Sequence, residues 1–118
     1  MNVLIVDDSK AMRMIVRRTL RQAGFDVDVT EASNGHEALD LLRDGAFDAV
    51  LCDWNMPEMT GLELLEQMTE EAIKVPFGFV TSEASPDMQT AAFSAGAAFM
   101  IRKPFKPETF RSELQAVL

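Results

Sequence analysis

Residues 50–57, VLCDWNMP, decide how this chain folds. With Ala49 in front, they make a run that is apolar at every position up to Cys52. The run is too short for a buried helix, and its unbroken apolarity implies cover on both faces. Asp53 then stops it, and Pro57 closes the turn behind it. The expectation is a buried strand ending in a carboxylate, within a sheet that carries helices on both sides.

The pattern repeats on either side of this stretch. Val3 to Val6 reads as a first strand. Ser9 caps a helix with apolar positions Met12, Ile15, Val16, Thr19, Leu20 and Ala23, and Gly24 ends it. Val27 and Val29 alternate with Asp26 and Asp28 as in a half-exposed edge strand. Asn34 with Glu37 resembles a capping box for a second helix through Ala38, Leu41 and Leu42, stopped by Gly45. After the third strand, Leu62, Leu65 and Met68 mark a third helix, and Phe77 to Val80 a fourth strand. Ser85 and Pro86 are an N-cap and first-turn proline for a fourth helix that ends near Gly96. Phe99 to Ile101 is the fifth strand, and Pro107 opens a last helix burying Phe110, Leu114 and Val117.

This alternation is (βα)₅, which requires a parallel sheet because each right-handed crossover lays a helix against it. The fold expected is an α/β, flavodoxin-like three-layer arrangement with a five-stranded sheet of order 2-1-3-4-5. The 118 residues form a single domain, 1–118, with no repeats, linkers or low-complexity tracts.

Composition excludes several functions. The net charge of −8, from 19 acidic and 11 basic residues, opposes direct binding of nucleic acid or an anionic membrane. The single Cys52 cannot form an internal disulfide and reads as a small buried hydrophobe. No apolar run approaches a signal h-region or a membrane span, so a cytoplasmic location is expected. His36 has no companion at ligand spacing and is assigned no role. No G-x-x-x-x-G-K-S/T loop or G-x-G-x-x-G turn occurs, so ATP or a dinucleotide is not the expected direct substrate.

In open parallel sheets, ligands sit beyond the carboxyl ends of the strands. Asp7 and Asp8 follow strand one, Asp53 ends strand three, Thr81 ends strand four and Lys103 follows strand five, so all share one edge. Converging carboxylates repel, and a hard divalent cation relieves them; Mg²⁺ suits oxygen ligands. A carboxylate is also a nucleophile toward phosphorus, with metal and lysine neutralising the transferred group. Asp53, Mg²⁺ and Lys103 supply those parts.

VDDS at 6–9, CDWNMP at 52–57, VTSE at 80–83 and RKPF at 102–105 together resemble the receiver domain of two-component response regulators, over essentially the whole chain. The resemblance implies that Asp53 is the phosphoacceptor. It implies that Asp8 binds Mg²⁺ directly with Asp53 and the backbone carbonyl of Asn55, that Asp7 acts mainly through a metal-bound water, and that Lys103 pairs with the phosphoryl group. Thr81 would hydrogen-bond a phosphoryl oxygen and drive the switch, read out on helix four, strand five and helix five. A cis Lys103–Pro104 bond is implied too. Asn55 and Glu83 would tune hydrolysis, giving a short-lived phosphoryl state. The domain would catalyse its own phosphorylation and dephosphorylation without being a turnover enzyme.

The implied partners are a sensor histidine kinase or histidine phosphotransfer protein and a downstream protein target, with a phosphorylation-dependent dimer as an option. A chemotaxis-type single-domain regulator is favoured over a receiver cut from a larger one. Two departures stand out. Met100 replaces the aromatic switch residue usual three positions before the lysine, and Ser85, Pro86 and Asp87 replace the basic start of helix four. Two other classes fit the sequence less well. A Mg²⁺-dependent phosphohydrolase with an aspartyl nucleophile needs a second Asp where Asn55 stands, and a flavin carrier needs a phosphate cradle where Asp7 and Asp8 stand.

Overall fold

Strands and helices alternate strictly along the chain in a computed structural model that describes all of residues 1–118. The order is β1 (Asn2–Val6), α1 (Lys10–Gln22), β2 (Asp28–Ala32), α2 (Gly35–Asp44), β3 (Ala49–Cys52), α3 (Gly61–Glu70), β4 (Phe77–Thr81), α4 (Pro86–Ser94), β5 (Phe99–Arg102) and α5 (Pro107–Leu114). All neighbouring strands pair in parallel, in the order β2-β1-β3-β4-β5. The expected α/β fold and strand order are those observed.

Two apolar clusters make the layers. Leu4, Val6, Val50, Cys52 and Phe79 point to one face and pack under Leu39, Leu42, Leu64 and Met68 of α2 and α3. Val3, Ile5, Leu51, Val80 and Ile101 point to the other, against Val16 and Leu20 of α1 and Phe110 and Leu114 of α5. The period-two alternation of side chains along a strand explains the split, since consecutive residues of a fully apolar strand supply opposite cores. β3 is buried along its whole length, as its sequence requires. Burying each Leu or Phe side chain is worth about 1.5–3 kcal/mol, so these two layers carry most of the favourable energy.

Helix starts follow their caps. Ser9 Oγ accepts from Met12 N at 3.2 Å and Ser85 Oγ from Met88 N at 3.2 Å, with Pro86 in the first turn. At α2, Asn34 Oδ1 accepts from Glu37 N at 2.8 Å, but the Glu37 carboxylate accepts from Ser33 Oγ, so only half of the expected capping box forms. The complete box belongs to α3, where Thr60 and Glu63 exchange both bonds. The edge strand also differs from expectation. β2 starts at Asp28 and continues through Glu31 and Ala32, because pairing with β1 runs from Asn2–Asp28 to Val6–Ala32. Val117 lies past the end of α5, partly buried against the α1/α5 core.

Arg43 near the end of α2 makes two bonds of 2.7 Å to Glu71, the C-cap of α3, and Gln67 Nε2 donates to Glu71 at 2.8 Å. These bonds, the Arg43 bond first, lower the Glu71 pKa from 4.5 to about 2. The folded state therefore holds Glu71 ionised where the unfolded chain protonates it. The pair stabilises fully above the unfolded pKa, and its contribution is lost as pH falls from 4.5 through about 2. Glu71→Gln should lower the urea midpoint only modestly at pH 7, since solvent screens an exposed ion pair. The difference from the wild type should shrink progressively in acid-side urea titrations across that window.

Candidate functional site at the carboxyl edge of the sheet

The parallel register carries four chemically active side chains to one place. Asp53 N donates to Val6 O at 2.9 Å, Asp7 N to Ala32 O at 3.1 Å and Lys103 N to Thr81 O at 2.8 Å, so each residue extends its strand by one more ladder bond. The backbone fixes their height and the side chains then converge. Asp7, Asp8 and Asp53 each offer a carboxylate oxygen, all within 4.8 Å of one another. Lys103 Nζ stands 3.3 Å from Asp7 Oδ2 and 3.6 Å from Asp53 Oδ1, on a chain turned by a cis Lys103–Pro104 bond.

Burial gives these charges their chemistry. Asp7 is 5 % exposed, Asp53 12 % and Lys103 15 %, whereas Asp8 faces solvent. Burial raises the Asp53 pKa above 3.8; Lys103 opposes the shift, Asp7 and Asp8 add to it, and the backbone N–H of Trp54 lowers it. Three carboxylates beside one ammonium leave the cluster short of positive charge. That deficit, with hard oxygen donors only, fits a small divalent cation such as Mg²⁺. Next to Asp53, the Cys52 thiol is fully buried and donates to Asp53 O at 3.1 Å. Burial first, then the Asp53 and Asp7 charges, push its pKa well up, so Cys52 stays a protonated thiol rather than a nucleophile.

The remaining sequence candidates surround this centre at different depths. Thr81 is completely buried at the end of β4, and its Oγ1 accepts from Glu83 N at 3.4 Å. Asn55 and Glu83 are exposed on the β3–α3 and β4–α4 loops, and neither side chain bonds to the cluster. Met100 is partly buried on β5, lining a depression of about 310 Å³ with Phe93, Arg102 and Glu113. Trp54, the next residue after Asp53, packs on Phe79 with ring centroids 4.7 Å apart. His36 is exposed.

Arg13 escaped the sequence reading. Its Nη1 donates to Asp7 O at 2.6 Å and its Nε to Glu31 Oε1 at 2.8 Å, while Arg17 Nη2 donates to Glu31 Oε2 at 2.7 Å. Burial works to raise the Glu31 pKa, but bonds from Arg13 and Arg17 outweigh it and hold Glu31 below 4.5. The only sequence signal was the spacing of Arg13 and Arg17, which puts both on the face of α1 next to β2. A surface depression of about 580 Å³ lies elsewhere, around the turn into β2 at the amino end of the sheet, between Arg21, Phe25 and Asp28. The acid cluster lies at the opposite, carboxyl edge of the sheet, with Asp8 exposed there.

A family model described as "Response regulator receiver domain" matches residues 3–115. A "Chemotaxis protein CheY homolog" of Campylobacter jejuni is 41% identical over 121 residues, covering 100% of this chain and 92% of that protein. The "Chemotaxis protein CheY" of Pseudomonas aeruginosa is 39% identical over 119 residues, covering 99% and 95%. Among solved structures, the chemotaxis protein CheY4 of Vibrio cholerae superposes with a TM-score of 0.87 at 38% identity, covering 99% of this chain and 98% of that one. A CheY-like receiver domain from Methanospirillum hungatei gives 0.85 at 29% identity over 98% and 90%. Fold, strand order and these matches agree over nearly the whole chain, which belongs to the response regulator receiver domain family, with chemotaxis CheY proteins among its relatives.

Proposed function

We propose that the domain is a phosphorylation-activated switch of chemotaxis type, with Asp53 as the phosphoacceptor. The observation that carries this is the convergence of Asp53, Asp7, Asp8 and Lys103 at the carboxyl edge of the sheet. Asp53 attacks phosphorus of a phosphohistidine on a sensor kinase or histidine phosphotransfer protein. The P–N bond breaks, its electron pair leaves with the imidazole, and an aspartyl phosphate forms. Asp8, Asp53 and the Asn55 carbonyl would hold Mg²⁺, with Asp7 acting through water, and the metal would supply charge neutralisation on the phosphoryl oxygens. Lys103, already poised between Asp7 and Asp53, pairs with the new phosphoryl charge.

Water later attacks phosphorus and restores the carboxylate, so the domain turns over only its own phosphoryl group. Asn55 and Glu83, exposed on the β3–α3 and β4–α4 loops, would tune that attack. Thr81 moves toward the phosphoryl group, and Met100 follows into the space it leaves. A downstream protein reads the change on α4, β5 and α5. Cytoplasmic action fits the free Cys52 and the phosphodonor, and no helix is long and apolar enough to cross a membrane.

Incubation with acetyl phosphate and Mg²⁺ tests the reading by intact-protein mass. One phosphoryl adduct is expected, absent when the metal is chelated and decaying once the donor is removed. A folded protein that gains no adduct would sink the proposal.

A further inference from the structure

Asp8 is the one member of the acid cluster whose side chain has no hydrogen bond or ion pair, so only the backbone constrains where it points. The Asp7 carbonyl and the Asp8 N–H belong to one rigid peptide plane, and turning that plane swings Asp8 away from its neighbours. The plane is held from outside the cluster. Arg13 Nη1 donates to Asp7 O at 2.6 Å, and Arg13 is itself anchored by Nε to Glu31 Oε1 at 2.8 Å. Arg17 braces the other Glu31 oxygen at 2.7 Å, and the Arg13 side chain is only 14 % exposed, so the guanidinium has little freedom.

We propose that Arg13, anchored by Glu31 of β2, is a positioning residue that fixes the Asp7–Asp8 peptide and so aims Asp8 at the cation site. This rests on reading the cluster as a divalent-cation site. Its signature is a sign. A guanidinium beside a cation site repels the cation, so charge alone predicts that losing Arg13 tightens binding; loss of positioning predicts that it weakens binding.

The test is titration of the full chain with Mg²⁺ alone, followed by Trp54 fluorescence and by calorimetry. Arg13→Met should raise the Kd roughly tenfold, as loss of outer support for a metal ligand does. Arg13→Lys should recover part of it. Arg43→Met, which breaks the α2–α3 ion pair far from the cluster, should lose stability and leave the Kd unchanged. An unchanged or lower Kd in Arg13→Met overturns the inference while the metal reading stands. Absence of saturable binding by the wild type overturns both. If Arg13→Met does not fold by circular dichroism, Glu31→Gln at high ionic strength, where distant charges are screened, takes its place. A raised Kd there supports the inference and an unchanged one overturns it.

Discussion

Asp53→Asn should reduce phosphoryl transfer from acetyl phosphate by at least about a thousandfold, to background in intact-mass measurements, because the amide oxygen is no nucleophile and no other group can replace it. Asp7 is more deeply buried and bonded to Ser9 N and Lys103, Asp8 lies out in solvent, and Cys52 is held protonated under the sheet edge. The same substitution should stabilise the fold at pH 7. Burial raises the Asp53 pKa above its unfolded value, so ionising it costs the folded state; that cost is absent below pH 3.8 and grows as pH rises through the folded pKa. The thermal midpoint of Asp53→Asn should therefore exceed that of the wild type at neutral pH and converge with it in acid. Adding Mg²⁺ should narrow the neutral gap by stabilising only the wild type. A neutral-pH midpoint at or below the wild type would mean that the Lys103 attraction outweighs burial.

Gly78→Ala should cost about 1–1.5 kcal/mol net, a fall of roughly 4–6 °C in thermal midpoint. Gly78 sits mid-strand in β4, opposite Leu51 of β3 and Phe99 of β5. A Cβ there would overlap the Phe99 ring, which is 1 % exposed and enclosed by its own layer. Overpacking of this kind costs about 1–3 kcal/mol, and occasionally more. Removing the entropy cost of glycine returns roughly 0.5–1 kcal/mol, which is too little to offset it. Phe99→Leu, destabilising on its own, should be less so in the Gly78→Ala background. A double-mutant cycle by urea unfolding checks this, and simple additivity would show that the ring is not the obstacle.

How far the chain could be read beforehand follows from what each feature depends on. β3 and the two-sided burial of the sheet were legible because a short, wholly apolar run has few other uses. The edge of the sheet was legible because Asp7, Asp53, Thr81 and Lys103 each fall at a strand end, and parallel pairing puts all such ends on one side. β2 was placed too early because Val27 and Val29 alternate as an edge strand does, whereas its true register is set by partners in β1, a tertiary choice. The box at Thr60 was hidden in a loop, since its two bonds depend on where the β3–α3 turn delivers the chain. Arg13 was invisible for a related reason. Its bond is to a backbone carbonyl, which has no residue type to recognise, and its anchor Glu31 lies on another element.

Lys103 and Asp7 are separated by 96 positions in the chain, and the lysine follows the last strand. During synthesis, β1 and β3 are available long before β5, so the three carboxylates can be drawn together before their only ammonium has left the ribosome. A partly made chain meets that crowding without the lysine that pairs with Asp7 and Asp53. The acid edge therefore gains its lysine only when the final βα unit packs, so the charge balance of the site depends on the fold of the whole polypeptide.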